Sequence, residues 1–309
     1  MRHRIPLPVS LGQQFAVRTA DAVGVGRWRR DTPDLHRPFH GIRSASPPRT
    51  FAEQLDCHRP RLKAHHRHVG RTAARLWGLP YPKAWSAREP VEVAVPLDRT
   101  PPKTEGVRGR RLTLDRAQTW KVDGMPVVDP VAALFTCADA LTVGEAVVMI
   151  DALLTSASDY PDRRPDLPPV SAAEISERLR MWRTFPGCRT IRAALPLARA
   201  NVESPKETET RLLIMDAGLP EPAVQHEVFD RRRFIARVDL AYPELKIAIE
   251  YEGDGHRTSR EQWRRDIQRQ RDLEDRGWIV IRLTQQDLGS ASGAFLSRVR
   301  RAILARTAA

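Results

Sequence analysis

The 309-residue chain carries 51 lysine and arginine residues against 38 aspartate and glutamate residues, which gives a formal net charge of +13 at pH 7. Hydrophobic residues make up 41% of the chain, enough for packed cores, so the composition excludes a wholly disordered protein. The length favours about two domains, and the positive charge favours a polyanionic partner, with nucleic acid and acidic membrane surfaces the main candidates.

Targeting and redox signals are weak. The amino terminus, MRHRIPLPVS, has no apolar core of the kind found in signal peptides, and no later stretch reaches 18 apolar residues. We therefore expect neither a signal peptide nor a membrane span, and a cytoplasmic location. Cys57, Cys137 and Cys188 lie far apart without a CxxC pair, so neither a zinc site nor a disulfide framework is predicted.

The first region, residues 1–48, favours a small winged helix-turn-helix module. In FAVRTADAVGVGRWRR, apolar residues from Phe15 to Val23 recur at helical spacing, and a basic cluster follows the glycines. The segment from Leu35 to Ile42, with a turn at His40–Gly41, predicts a wing hairpin. Another small helical cap would give a similar pattern. The candidate nucleic-acid contacts here are Arg27, Arg29 and Arg30.

The second region, residues 49–200, is predicted to be a mixed α+β domain. Thr50 and Glu53 form a capping box that predicts a helix start. The alternating run VEVAVPL (91–97) predicts a strand, and GVRGRRLTL (106–114) predicts another. Asp129–Pro130 opens a helical stretch, residues 144–154 form a further helix, and Ser171 with Glu174 starts one more.

The third region, residues 201–309, has the predicted order αβββαβ. A helix over 207–217 ends at Gly218, and strand-like runs follow at 223–229, 234–240 and 246–251. A charged helix covers 261–275, and WIVIRL (278–283) is a last buried strand. The overall fold class is therefore α/β, with a sheet covered by helices.

Carboxylates follow the apolar strands of this region. In RVDLAYPELKIAIEYEG, Asp239 ends one strand, and alternation places Glu250 and Glu252 on one face of the next. Carboxylates grouped in an apolar setting repel one another unless a cation neutralises them. Mg²⁺ or Mn²⁺ would bind such oxygens and polarise a phosphodiester. The alternative is that these acids are solvated or pair with arginines.

The residues around these acids extend the candidate site. Glu207 lies on the preceding helix, and His256, in the turn GDGH, is a candidate for positioning or deprotonating water. The charged helix that follows presents basic residues that would contact phosphates or simply be solvated. The candidates on this helix are Arg264, Arg265 and Arg269.

The third region resembles a bacterial domain-of-unknown-function family related to the very-short-patch-repair endonucleases, within the PD-(D/E)XK superfamily. The likeness covers about Glu203 to Leu288, in SPKETETRLL, AGLPEP, RVDLAYPELKIAIEYEGDGHR and WRRDIQRQRDLEDRGWIVIRLT. It implies an αβββαβ core, a divalent metal and DNA as the substrate. The resemblance also implies roles for individual residues: Asp239 as the central metal ligand, Glu250 as the next acid, Glu207 as the helix acid, Glu252 at a position where the family often has aspartate, and His256 as the following histidine.

The chain departs from the superfamily pattern at one position. A lysine is expected two residues after the second acid, and Glu252 stands there instead. The resemblance implies that relatives of the mismatch-repair type also lack this lysine and use a histidine in its place. His256 would be that histidine. A folded but inactive nuclease is the alternative.

The two amino-terminal regions resemble the bacterial abortive-infection type IV antitoxins, in FAVRTADAVGVGRWRR, HRPFHGIR and DGMPVVDPVAALFTCADAL. This resemblance implies a winged-helix DNA binder with a partner domain. Two hypotheses follow: a Mg²⁺-dependent DNA endonuclease, or a non-enzymatic DNA-binding regulator with a degenerate nuclease domain. A nuclease acting on RNA is a third. A protein partner, either a toxin or a repair or defence factor, is left open.

Overall fold

The computed structural model describes residues 6–156, 160, 162–253 and 260–308, without the side chains of residues 260–263. The protein is a mixed α/β protein with several sheets, and the chain divides into two compact units. The first unit comprises Met1–Ala140 and Glu177–Cys188, and the second comprises Leu141–Ser176 and Arg189–Ala309. The predicted boundaries after residues 48 and 200 do not coincide with this division. Within the described ranges, no helix has the length and apolar character needed to cross a membrane.

The first unit contains a two-stranded sheet, a six-stranded sheet and short helices. Its elements are β1 (Gln14–Ala16), α1 (Val17–Ala22), α2 (Arg27–Arg30), β2 (Ile42–Ser44), α3 (Phe51–His58), β3 (Arg67–His68), α4 (Gly70–Leu76), β4 (Val91–Val95), β5 (Lys103–Thr104), β6 (Val107–Arg111), β7 (Thr119–Val122), β8 (Met125–Val128) and α5 (Pro130–Cys137).

The amino-terminal segment places two short helices between two paired strands. β1 pairs with β2 in antiparallel register, with Phe15 opposite Arg43. Phe15 and Ala16 therefore lie in a strand, and the prediction that they belong to a helix is wrong; α1 begins only at Val17. The chain does turn at His40–Gly41, where an antiparallel bridge joins His36 to Ser44.

The larger sheet of the first unit has the strand order β5-β6-β4-β3-β8-β7. β4 lies between β6, to which it is parallel, and β3, to which it is antiparallel. All five residues of β4 are buried, so its sequence alternation does not separate an exposed face from a buried one. Asp129 caps α5 by accepting a hydrogen bond from the backbone N–H of Ala132, as the predicted helix start at Asp129–Pro130 requires.

The second unit contains a four-stranded sheet with helices on it. The chain passes from the second unit to the first within α7 and returns within α8. The elements are α6 (Val143–Leu154), α7 (Ala172–Trp182), α8 (Cys188–Ala194), α9 (Pro205–Asp216), β9 (Ala223–Asp230), β10 (Arg233–Tyr242), β11 (Ile247–Tyr251), α10 (Arg260–Glu274), β12 (Ile279–Leu283) and α11 (Ser292–Thr307).

The four-stranded sheet has the order β12-β11-β10-β9. The first three strands of the sequence pair antiparallel, and β12 is parallel to β11. Ile249 of β11 packs with Ile214 of α9 and Phe295 of α11 in one buried cluster, whereas Ala248 packs with Leu273 of α10 in another. Because neighbouring residues of β11 face opposite sides, α9 and α11 cover one face of the sheet and α10 the other. The succession from α9 to β12 is helix, three strands, helix, strand.

A buried ion pair fixes α9 in the second unit. Arg211 of α9 lies 3.0 Å from Asp151 of α6, and neither side chain is exposed. Asp151 also accepts hydrogen bonds from the hydroxyl of Thr208 and the backbone N–H of Arg199. Burial raises the pKa of Asp151, and these donors oppose that rise. The network holds α9 against α6, and α9 in turn carries Glu207 in its first turn.

Candidate active site

The register of the second unit's sheet aligns four polar residues across its four strands. Leu240 of β10 pairs with Val224 of β9 and with Ile249 of β11. One residue earlier on β10 is Asp239, so the same registers place Gln225 and Glu250 beside it. Glu250 in turn lies opposite Arg282 in the register of β11 with β12. We call these four residues the polar row: Gln225, Asp239, Glu250 and Arg282.

Asp239 lies at the centre of this group of acids. Its Oδ2 accepts a hydrogen bond of 3.0 Å from the backbone N–H of Tyr251. Its negative charge contributes to raising the pKa of both Glu207 and Glu250. Both effects require Asp239 to lie close to these groups, because charge interactions weaken with distance. Asp239 and Glu250 therefore lie close together, but Asp239 does not end its strand as the sequence predicts, because β10 continues to Tyr242 and pairs with β11 there.

Glu250 is buried without full compensation. Its side chain is 7% exposed, and Oε2 accepts a hydrogen bond of 3.2 Å from Arg269 of α10. Oε1 is buried without a hydrogen-bond partner among the described residues. Desolvation raises the pKa of Glu250 most strongly; the charge of Arg269 lowers it, and that of Asp239 raises it. Leaving such an oxygen unsatisfied is costly, which distinguishes it from an ordinary structural acid.

Glu207 has a structural role at the start of α9 as well as a place near Asp239. Ser204 caps the helix by accepting from the N–H of Glu207, and the Glu207 carboxylate accepts from the hydroxyl of Ser204 and the N–H of Glu203. Burial, reinforced by the charge of Asp239, raises the pKa of Glu207 to about 7. The carboxyl group therefore changes protonation near neutral pH.

Gln225 is a site residue that no pattern in the sequence marks. Its Nε2 donates a hydrogen bond of 2.7 Å to Oε2 of Glu207. Its backbone φ is +47°, a left-handed conformation inside a strand, which is strained for a residue with a side chain. Strand alternation marks the segment but not this residue, because its place beside Asp239 depends on the register.

Glu252 and His256 complete the predicted catalytic set. The Glu252 carboxylate pairs with Arg282 of the adjacent strand. That ion pair neutralises it, so the structure gives Glu252 a partner other than a metal. His256 lies outside the described residues, as does Asp254 in the same turn.

The predicted phosphate-binding residues of α10 differ in their surroundings. Arg264 and Arg265 are exposed. Arg269 is 38% exposed and pairs with Glu250. Arg269 therefore lies beside the acids, and Arg264 and Arg265 lie on the solvent side of the helix.

The predicted contacts of α2 are only partly available to a ligand. Arg29 and Arg30 are buried, and their guanidinium groups pair with Asp34 at 3.2 Å and Asp21 at 2.8 Å. Both hold the amino-terminal segment together. The Arg27 side chain is 89% exposed and lies 3.5 Å from Asp31. Of the three predicted contacts, Arg27 is the one placed to meet another molecule.

The acids around Asp239 fit a divalent cation only as a small set of ligands. In the part of the chain that the structure describes, no group of three or more histidine, cysteine, aspartate or glutamate side chains is arranged to hold a metal ion. The predicted triplet of Asp239, Glu250 and Glu252 is thus not assembled there, because Glu252 pairs with Arg282. Mg²⁺, however, is commonly bound by one or two carboxylates together with waters and substrate phosphates. Asp239 and the unpartnered Oε1 of Glu250 fit that smaller donor set.

Comparison with known proteins gives distant relatives. The chain is similar to two uncharacterized proteins of Mycobacterium tuberculosis, one from strain CDC 1551 / Oshkosh and one from strain H37Rv, with 30% identity over 129 residues to each. The aligned part is 42% of this chain and 48% of each relative, so the chain spans about half the length of the curated relatives it matches. No family model matches the sequence. No solved structure matches it either.

Proposed function

We propose that the protein is a metal-dependent endonuclease that hydrolyses DNA phosphodiester bonds with Mg²⁺ or Mn²⁺. One observation carries this proposal: Asp239 and Glu250 lie side by side in the polar row, and one buried oxygen of Glu250 has no partner among the described residues. A structural acid in this position would be satisfied by donors. A hard cation shared by the two carboxylates removes both the repulsion and the unsatisfied oxygen.

Each acid of the site has a distinct proposed task. Asp239 and Glu250 hold the cation, which when bound polarises the phosphodiester and stabilises the leaving oxygen. Glu207 lies beside Asp239, and burial together with the charge of Asp239 raises its pKa in the metal-free protein, which suits it to hold a proton before the cation binds. Gln225 fixes the Glu207 carboxylate. The resemblance to the mismatch-repair endonucleases makes His256 the proposed group that orients water.

Positive charge supports DNA as the substrate. Arg269 lies beside Glu250, and its guanidinium would bind a phosphate oxygen once a cation occupies the acids. In the amino-terminal segment, the exposed pair Arg27 and Trp28 on α2 presents a cation and an aromatic ring, which are suited to a phosphate and a base. The proposed winged-helix module would use this pair.

The test is cleavage of supercoiled plasmid, linear duplex and RNA with Mg²⁺ or Mn²⁺. We expect the wild-type protein to nick or cut DNA and the Asp239→Asn variant to lose detectable cleavage, while its circular dichroism spectrum and DNA affinity are retained. Asp216→Asn, an exposed substitution at the end of α9, is the matched control and should cut normally. Cleavage by Asp239→Asn at the wild-type rate would refute the assignment, and preferential cutting of RNA would change the substrate.

A second candidate is a non-enzymatic DNA-binding regulator with a degenerate nuclease domain. It is favoured by the two arginine–carboxylate pairs, Arg269 with Glu250 and Arg282 with Glu252, because an arginine can neutralise an acid permanently in place of a metal. Titration calorimetry with Mn²⁺ separates the two candidates. Binding of Mn²⁺ that disappears in Asp239→Asn favours the nuclease. Absence of binding, of cleavage and of any effect of the substitution on DNA affinity favours the regulator.

A further inference from the structure

The hairpin between β9 and β10 ends in an unusual sequence, FDRRRF. We call residues Phe229–Phe234 the basic tip. Asp230 pairs with Arg233, so Arg231 and Arg232 form a two-residue turn, and Phe229 pairs with Phe234 across the strands. Every residue of the basic tip is exposed. The tip belongs to the same hairpin as Asp239 but is separate from the polar row.

Two aromatic rings stand exposed at this tip. Phe229 and Phe234 are each 52% exposed, and their ring centroids are 5.7 Å apart in an edge-to-face arrangement. Cross-strand aromatic pairs stabilise a hairpin, but a pair on a covered sheet face would serve that purpose with far less exposed apolar surface. Large apolar groups exposed together on a protein surface commonly mark an interaction site.

Within the described part of the chain, the side chains of the arginines between the rings contact no acid or other hydrogen-bonding partner. For Arg231, Arg232 and Arg233, the structure shows no ion pair and no side-chain hydrogen bond among the described residues. Arg231 has a backbone φ of +56°, at a turn position where glycine, asparagine or aspartate fits without strain. The fold therefore gains nothing visible from arginine at this position, and strain of this kind collects at functional sites.

We propose that the basic tip binds double-stranded DNA, with the two phenylalanine rings stacking into an opened base step and the three arginines contacting the flanking phosphates. Apolar side chains that wedge between base pairs are a recognised way of bending a duplex, and arginine suits the phosphates beside them. The three unpaired arginines on a chain of net charge +13 favour a polyanion over an apolar protein surface. This inference rests on the proposed function for its choice of DNA as the ligand.

The length of the hairpin predicts how far the opened base step lies from the phosphate that is cleaved. Phe234 and Asp239 lie five residues apart on β10, which at about 3.4 Å per residue is roughly 17 Å. Base pairs stack about 3.4 Å apart along the helix axis. The opened step is therefore expected within about five base pairs of the phosphate that the acids attack.

The experiment uses the full chain in EDTA, so that no cleavage takes place. The probes are a duplex carrying 2-aminopurine at one internal position, whose fluorescence rises when its base is unstacked, and a fluorescein-labelled duplex for anisotropy. We expect the wild-type protein to raise 2-aminopurine fluorescence. The double substitution Phe229→Ser with Phe234→Ser should abolish this rise and weaken binding about 5- to 100-fold, the range measured for loss of base–aromatic stacking. Phe234→Leu, which keeps an apolar side chain in the hairpin, should also reduce the rise.

The three arginines of the basic tip are expected to affect the salt dependence of DNA binding. Replacing Arg231, Arg232 and Arg233 by serine should weaken binding to all sequences and lower the slope of log affinity against log salt by about 2 to 3, because each phosphate contact contributes about 0.9. The control is Arg301→Ser with Leu304→Ser on α11, which removes one exposed arginine and an apolar side chain that is 60% exposed. This control should bind DNA and raise the fluorescence as the wild type does.

The outcomes separate this inference from the nuclease proposal. Loss of the fluorescence rise in the phenylalanine variants, with unchanged circular dichroism, supports the basic tip even if no protein cleaves DNA with Mg²⁺. If the Phe234→Leu variant and the double variant fold and still raise 2-aminopurine fluorescence as the wild type does, the proposed role of the basic tip is wrong. The cleavage assay of Asp239→Asn is independent of that result. Equal dependence on the tip for duplex RNA, or binding only to single strands, also overturns it as a duplex DNA wedge.

Discussion

Each unit of the protein buries a glutamate in a strand of its sheet, and the surroundings of the two glutamates differ. In the first unit, Glu92 of β4 is 2% exposed, accepts a hydrogen bond of 2.9 Å from the backbone N–H of Arg71, and pairs with the guanidinium groups of Arg71 at 3.4 Å and Arg108 at 3.6 Å. In the second unit, Glu250 of β11 is 5% exposed and has one arginine partner. Both oxygens of Glu92 have donors, whereas only one oxygen of Glu250 has a donor among the described residues.

This difference separates an acid that builds the fold from one that is available for chemistry. Gly70 shows how closely the first unit fits around Glu92: a Cβ atom at that position would lie 1.7 Å from Oε2 of the carboxylate. The Oε2 oxygen of Glu92 therefore packs directly against the backbone at Gly70. A buried acid is a functional candidate when one of its oxygens has no donor, which is the case for Glu250 within the ranges that the structure describes.

The largest expected effect comes from removing the charge of each glutamate in turn. Glu250→Gln should abolish metal-dependent cleavage while changing the free energy of unfolding by no more than about 1 kcal/mol, because its arginine partner is partly solvated. Glu92→Gln should leave cleavage per folded molecule unchanged and destabilise the first unit by about 1–3 kcal/mol, because buried donors lose their charged acceptor. Urea denaturation and plasmid cleavage measure the two effects.

The opposite pattern would show that the comparison is wrong. If Glu250→Gln unfolded the second unit and Glu92→Gln only lowered cleavage, Glu250 would be the structural acid. Glu53→Gln in the first turn of α3, where the carboxylate accepts a hydrogen bond from the backbone N–H of Arg49, is a useful control for a glutamate whose substitution affects only a helix end. Its expected effect is a loss of at most roughly 0.5 kcal/mol with cleavage unchanged, because glutamine keeps an oxygen that accepts the same hydrogen bond.

The sequence predicts the elements of the second unit more fully than the site that they build. The strands and the charged helix were predicted to within about two residues of β9 to β12 and α10, because short apolar runs bounded by turn residues are local signals. The last helix, α11, was not predicted, although Phe295 and Val299 recur at helical spacing in it. The acids Asp239 and Glu250 were found from their places at the strand ends.

The sequence does not predict which charged side chains pair with each other. The predicted metal ligand Glu252 pairs with Arg282, and this depends on the parallel pairing of β11 with β12, which is a long-range contact. Glu92 was missed for a related reason: VEVAV alternates as if one face were exposed, and the buried position of β4 between β3 and β6 overrides that pattern. Periodicity reports which residues are apolar, and register decides which polar residues meet.

The buried titratable groups of the two units should also respond to acid in opposite directions. Burial lowers the pKa of His58 to about 3 and of His66 and His68 to about 4 in the first unit. The unfolded chain takes up these protons near pH 6.5 and the folded unit does not, so stability should fall from about pH 6.5 to pH 4. The loss is up to about 1.4 kcal/mol per pH unit for each histidine.

Hydrogen exchange read by mass spectrometry at pH 7 and pH 5, corrected for intrinsic rates, would show this as lower protection in the first unit. His68→Gln should reduce the dependence, whereas the exposed His40→Gln should leave it unchanged. Equal loss of protection in both units would indicate that the histidines are not responsible.

A pH effect of the opposite sign is expected for Glu207 in the second unit. Burial and the charge of Asp239 raise the pKa of Glu207 from 4.5 to about 7, so between these values the folded unit holds a proton that the unfolded chain releases. Its stabilising contribution is complete below pH 4.5 and is lost as the pH rises through about 7. Glu207→Gln keeps a neutral side chain at every pH and should raise stability at pH 8 by of the order of 1–3 kcal/mol, with little change at pH 5. Urea denaturation of both proteins in EDTA at the two pH values measures this, with the exposed Glu244→Gln as the control. A constant difference between the two pH values would mean that the gain comes from packing, and Glu207 would then have no proton to exchange near neutral pH.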